Sequence, residues 1–333
     1  MFSPNGHAHM ENPRKNEESA HTESLAAALR AVLARYGQNQ AYENVLAALG
    51  LGVLVTAHPD ESLRHWPTLG RDLCLSEGAA RFGLRMRPLH PPDAADGLGQ
   101  SREYAGHFHD SYLPLIQTAL AHEQLVLAWR GWPAPQSRHW GVIAGERDGM
   151  LWGLLPGLKM GEVPLIDPAH QVYVVEEYQS PKGIVNEIDL FEMVCKFARE
   201  LWRGSRSSYS GLLTGEQAYH AWVQRLREPE NEESVEPNVW ELHRVAVQAM
   251  LAARRTMVVF LKGCVRRRST AAERWAESVE RTIELLRPYD IDAVGAGGTP
   301  TTEWMERAVA ALEAAHEEDS RAMAELAMMD DRA

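Results

Sequence analysis

From Asn186 onward the chain reads as five amphipathic helices in succession, and this constrains the fold more than any other feature. "NEIDLFEMVCKFARELWRG", "TGEQAYHAWVQRLRE", "VWELHRVAVQAMLAARRTMVVFLKG", "STAAERWAESVERTIELLRPY" and "TEWMERAVAALEAAHEEDSRAMAELA" all repeat apolar residues every three or four positions. Such faces must be buried against one another or against a sheet, which predicts an all-helical region over 186–330. The acidic run "EPENEESVEP" between the second and third reads as a solvated loop. Nothing in this half repeats as a solenoid would.

The part before it has a different grammar. "TESLAAALRAVLARYG" is a helix, with Thr22 or Ser24 as its expected cap and Gly37 as its stop. "AYENVLAALGLGVLV" begins as a helix and ends in a Gly-punctuated apolar run. "LGRDLCLSEGAARFGLRMRPLHPP" reads as a helix and a short strand, and "YLPLIQTALAHE" as a further helix. Strands follow in "LVLAWRGW", "RHWGVIAGE", "GMLWGLL" and "QVYVVEEY", with an Asp-Gly hairpin turn in "ERDGM". A front part that mixes helices with strands, followed by helices alone, makes the fold class α+β with a helical C-terminal domain. The expected divisions are a disordered tail over 1–20, a mixed domain over 21–182 and the helical domain over 186–330.

Bulk composition narrows the partners. A chain of 333 residues with 45% hydrophobic and 24% charged residues has the composition of a globular protein. A net charge of −12 disfavours nucleic acid, which needs clustered Lys and Arg, and leaves peptides, proteins and small molecules. The first twenty residues hold no apolar run of signal-peptide length, and no stretch has the length to span a bilayer. Cys74, Cys195 and Cys264 form no CxxC pair. The expectation is therefore a cytoplasmic protein with no membrane contact and no thiolate metal centre.

Three stretches invite chemistry. "HFHD" puts His107 and His109 two residues apart, one face of a strand, but a metal needs a further ligand and no HExxH-type partner is present. No metal and no cofactor are expected. "GAGGTPTTEW" lacks the Lys of a phosphate loop, and Thr299 as cap, Pro300 and Glu303 explain it as a helix start. "SRHWGVIAG" is different, because His139 stands at the mouth of a small, apolar strand. The residues alone leave it two roles, structural histidine or general base.

The order of these elements resembles the papain-like superfamily of C39-type peptidases, closest to its branch of butirosin-biosynthesis (BtrH-like) acyltransferases. "SLAAALRAVLARYG" is similar to the first helix of that family, "LGLGVLV" to the apolar segment after it, and "HWGVIAG" to the strand that carries the base. "TGEQAYHAWVQRL" and the helices beyond it are similar to the appended helical half. The resemblance implies a thiol nucleophile at the start of the first helix, with His139 as its base. In that register the chain has Ser24, preceded by Glu23 and Thr22, and no cysteine nearby. The third member falls near Trp152 or Gly153, neither of which can orient an imidazole, and Asp167 is the substitute. Gln38, Asn39 and Gln40 are amides able to serve an oxyanion, but they follow the first helix.

A serine hydroxyl is far less acidic than a thiol, so a helix dipole that holds a thiolate cannot ionise it. The expected function is therefore a catalytically degenerate peptidase- or acyltransferase-like fold that binds a peptide or small acylated metabolite. Trp129, Trp132, Trp140 and Trp152 would supply flat walls for the ligand. Two alternatives stand beside it: an amide hydrolase or acyltransferase using Ser24 and His139, and a helical protein-interaction scaffold.

Overall fold

The structure is a computed structural model that describes residues 23–57, 72–89, 102–158, 161–181, 185, 187–206, 212–227, 239–266, 269–290 and 301–330. The expected tail over 1–20, the acidic run over 228–237 and the proposed helix cap at Thr299 lie outside these residues. Among the described residues, no helix is long and apolar enough to cross a membrane.

The chain is α+β with a helical C-terminal region. Helices α1 (Ser24–Arg35) and α2 (Tyr42–Ala48) lead to the two-residue strand β1 (Thr56–Ala57). Next come α3 (Leu75–Arg81), β2 (Leu84–Pro88) and α4 (Arg102–His107), which runs through a π-helical turn over Phe108–Tyr112 into α5 (Leu113–Ala121). Strands β3 (Val126–Trp129), β4 (Trp140–Arg147), β5 (Met150–Leu154), β6 (Val163–Pro164) and β7 (Gln171–Tyr178) complete the front part. Helix α6 (Glu187–Trp202), strand β8 (Leu213–Thr214), α7 (Gly215–Arg227), α8 (Val239–Val265), α9 (Thr270–Leu286) and α10 (Thr302–Asp330) make up the rest.

Six strands form one antiparallel sheet in the order β2-β7-β3-β4-β5-β6. The Asp-Gly turn is where the sequence places it. Asp148 and Gly149 have φ of 53° and 75°, the left-handed pair that matches the twist of a two-residue hairpin. Strand alternation sends Leu127, Trp129, Trp140, Val142 and Val175 to one face and Val126, Ala128, Ile143, Val172 and Val174 to the other. The second face is covered by Phe108, Tyr112 and Ile116 from the α4–α5 stretch. The first is covered by α1, α2 and α3, and its core continues into Phe197, Phe260, Trp275 and Leu326 of the C-terminal helices. The principal core thus runs across the boundary drawn between 182 and 186. Strand β1 crosses it too, pairing Thr56 with Thr214 of β8.

Gly141 of β4 follows from this packing, and Gly145 does not. A Cβ on Gly141 would stand 2.4 Å from Cζ2 of Trp132 and 2.9 Å from a methyl of Leu155, whereas one on Gly145 meets nothing within 4 Å. Gly141→Ala is expected to cost about 1–3 kcal/mol through overpacking. Gly145→Ala on the same strand should stay within about 0.5 kcal/mol of the parent. Urea denaturation of the two variants checks the contrast; equal effects would mean the Trp132 side chain yields.

Candidate functional site at the start of strand β4

Helix α1 is buried along most of its length, so its first turn is fixed against the sheet rather than free in solvent. Its cap residue is Glu23, with no side-chain capping bond; the Glu23 N–H instead donates to the Tyr42 hydroxyl at 2.7 Å. Ser24 is therefore the first helical residue and does not cap the helix as expected. Its Oγ accepts the backbone N–H of Trp140 at 3.2 Å. This bond ties the helix start to the start of β4 and brings Ser24 beside the residue next to His139. The other end of α1 closes at Gly37 (φ 77°), where Gly37 N–H donates to Ala34 at 3.0 Å and Gln38 N–H to Leu33 at 2.9 Å.

His139 is half-buried, and its Nδ1 is enclosed with no hydrogen-bond partner. Burial holds its pKa below the ordinary histidine value, outweighing a backbone contact at Gln136 that acts the other way. The imidazole is thus neutral at pH 7. Because Nδ1 is unpartnered, neither the Ser24 hydroxyl nor Asp167 bonds that nitrogen. Asp167 is exposed, and its backbone N–H donates to the carbonyl of Gly131 at 3.1 Å. Gln38 gives its amide to the Phe82 carbonyl at 2.6 Å and to the Tyr178 hydroxyl at 3.3 Å. With Gln40, which donates to Gln38 at 3.2 Å, it sits at the far end of α1, roughly 18 Å along the axis from Ser24.

The four tryptophans do not line one wall. Trp129 and Trp140 pack on the face that meets α1, while Trp132 is buried on the opposite face. Trp152 is half-buried beneath the guanidinium of Arg147, 5.2 Å from its ring centre. The indole N–H groups of all four lack a partner. Gly131, at φ 85°, turns the chain between Trp129 and Trp132 and so separates the pair.

Two polar groupings near the site were not singled out from the sequence. Arg130 donates its backbone N–H to the His139 carbonyl at 3.2 Å and lies 5.2 Å over the Trp129 ring. Its Nη1 is 3.1 Å from Nε2 of His170, the residue before β7. Burial and the neighbouring Arg138 lower its pKa. On the α1 side, the buried Asp72 carboxylate accepts the Tyr173 hydroxyl and, at 3.3 Å, the Gln171 amide. Tyr173 is 6.1 Å from Trp140 between ring centres. Asp72 falls in a stretch with no catalytic spacing, and only the sheet register brings Gln171 level with Trp129 and Trp140.

The expected histidine pair in "HFHD" sits in helical structure, where His107 and His109 point apart rather than sharing a strand face. His107 Nδ1 meets Ser111 Oγ at 3.4 Å, and His109 packs edge-on against Phe108. Among the described residues, one group of side chains has the spacing to hold a metal: Glu216 and His220 of α7 with His316 of α10. Sequence distance hid it, although the Glu and His of "EQAYH" already share a helix face.

No protein-family model matches the chain, and no curated protein is significantly similar to it.

Proposed function

We propose that the junction of α1 and β4 is a binding site for a peptide or small acylated metabolite on a catalytically degenerate papain-like fold of the C39 peptidase and BtrH-like type. The observation that carries this reading is the bond from Trp140 N–H to Ser24 Oγ beside a His139 whose Nδ1 is enclosed and unpartnered. A serine nucleophile needs a base that takes its proton and a third group that orients that base. Here no carboxylate or amide stands behind the imidazole, because the enclosed Nδ1 of His139 has no hydrogen-bond partner.

Binding is supported by what surrounds the pair. The first turn of α1 presents backbone amides and the positive end of its dipole. Arg130 and Arg138 add positive charge at the same strand ends, in a chain of net charge −12. The carbonyl or carboxylate of an acyl or peptidyl ligand fits that field.

Treatment with a fluorophosphonate probe tests the absence of catalysis. The expected result is no labelling of the native protein above a Ser24→Ala variant. Labelling mapped to Ser24 would overturn the reading in favour of the active serine enzyme. Binding is tested by titrating N-acetylated peptides while following tryptophan fluorescence. A saturable response reduced at least tenfold in affinity by Arg130→Ala is expected, and no response to any of them would sink the assignment.

A further inference from the structure

We propose that Glu216, His220 and His316 form a zinc site that clamps α7 to α10. The ligand atoms of the three side chains all lie within 4.8 Å of one another. Glu216 and His220 are one helical turn apart on the same face of α7, so a single rotamer adjustment aims both at one point. His316 comes from the facing helix, and its ring lies 4.9 Å from that of His220 between centres. Tetrahedral zinc with bonds of about 2.0–2.2 Å needs its ligands about 3.3 Å apart. Side-chain rotation closes that gap without moving the helices.

The scaffold behind the cluster is rigid. The His316 ring stacks on Trp202 at 5.6 Å and 22°, and packs against Tyr219 at 5.2 Å. Tyr219, the neighbour of His220, donates its hydroxyl to the buried Asp319 of α10 at 2.8 Å. The two helices are thus pinned one residue before His220 on α7 and three residues beyond His316 on α10. Metal ligands on pinned elements keep their geometry, which is the condition for tight binding.

The donor set selects the ion. Two borderline imidazole nitrogens beside one carboxylate suit zinc and its neighbours, while magnesium and calcium take all-oxygen shells. Glu216 and His220 are exposed, so three protein ligands leave a fourth position open to water.

The test uses the full chain freed of metal with a chelator and titrated with zinc by calorimetry. One high-affinity equivalent and a raised Tm are expected. Cobalt substituted for zinc should give the intense visible absorption of a tetrahedral site, and excess magnesium should not displace it. His220→Ala should weaken zinc binding by a hundredfold or more, with far-UV circular dichroism unchanged. The conservative Glu216→Gln should weaken it at least tenfold. No saturable uptake by the native chain would overturn the proposal. So would zinc bound equally well by both variants, which would place the metal on other histidines of the chain.

Discussion

Replacing Asp319 by alanine is expected to destabilise the helical region by about 3–5 kcal/mol, the cost of stranding one partner of a buried ion pair. Asp319 and Arg254 are 4% and 3% exposed. Arg254 Nη1 donates to Oδ1 at 2.9 Å and Nη2 bonds Oδ2, a two-point contact between α8 and α10. Tyr219 of α7 and Thr282 of α9 donate to the same carboxylate at 2.8 and 3.3 Å. One carboxylate therefore satisfies donors from three helices, and removing it leaves a buried guanidinium with no anion. Asp319→Asn should fall between alanine and the parent, because the amide oxygen keeps one acceptor and the charge is lost. An apolar pair, Arg254→Met with Asp319→Leu, should recover most of the loss, since desolvation of both charges disappears together. Glu313→Ala at the exposed Arg227 pair should cost no more than about 1 kcal/mol. Urea midpoints for the four variants give the order; an Asp319→Ala no worse than Glu313→Ala would show that water reaches the pair.

This network marks where the sequence stops being informative. The helices themselves are legible, because a 3–4 apolar period needs no partner to be read, and the hairpin is legible because Asp148-Gly149 is a local signal. Strands β3, β4, β5 and β7 fall where runs of apolar and β-branched residues place them. Strands β1, β6 and β8 have two residues each, too short for any period to show. They exist because distant backbone groups need partners.

The candidate site divides along the same line. That Ser24 meets the start of β4 is a long-range fact, carried by its bond from Trp140 N–H across 116 residues of sequence. Whether Ser24 caps its helix or is claimed by a strand is decided by packing, and the local pattern favoured the cap. The tryptophans misled for a related reason. Trp129 and Trp132 are close in sequence, but the left-handed turn at Arg130 and Gly131 (φ 67° and 85°) delivers them to opposite sheet faces. Start of α10 shows the opposite case. Its cap lies outside the reach of the Thr299 assignment, yet Thr301 Oγ1 accepts the Trp304 N–H at 3.2 Å, so a nearby threonine performs the expected job.

The second large effect concerns acid. His243 of α8 is fully buried, and neither ring nitrogen has a hydrogen-bond partner. Its ring sits edge-to-face among Trp222, Trp240 and Trp304 at 5.5, 5.7 and 6.4 Å. Burial pushes its pKa down to about 3, against about 6.5 in the unfolded chain. Between those values the unfolded chain binds a proton that the fold refuses. Stability contributed by the neutral ring is therefore fully present above pH 6.5 and lost as pH falls toward 3. At pH 5 the expected loss from this residue is about 2 kcal/mol, from one and a half pH units at about 1.4 kcal/mol each. His243→Phe keeps a flat ring of similar size and cannot take a proton, so it should remove this part of the acid slope. It should also raise stability at pH 7.5 by roughly 1–3 kcal/mol, because the enclosed polar nitrogens become carbons. Three indoles are also surroundings that attract a cation, worth about 0.5–2 kcal/mol for such a contact. That attraction opposes the burial penalty. Urea denaturation of parent and variant at pH 7.5, 6 and 5 decides between the two forces. A gap that widens in favour of the variant as pH falls means burial wins, and a gap that narrows means the indoles hold an imidazolium.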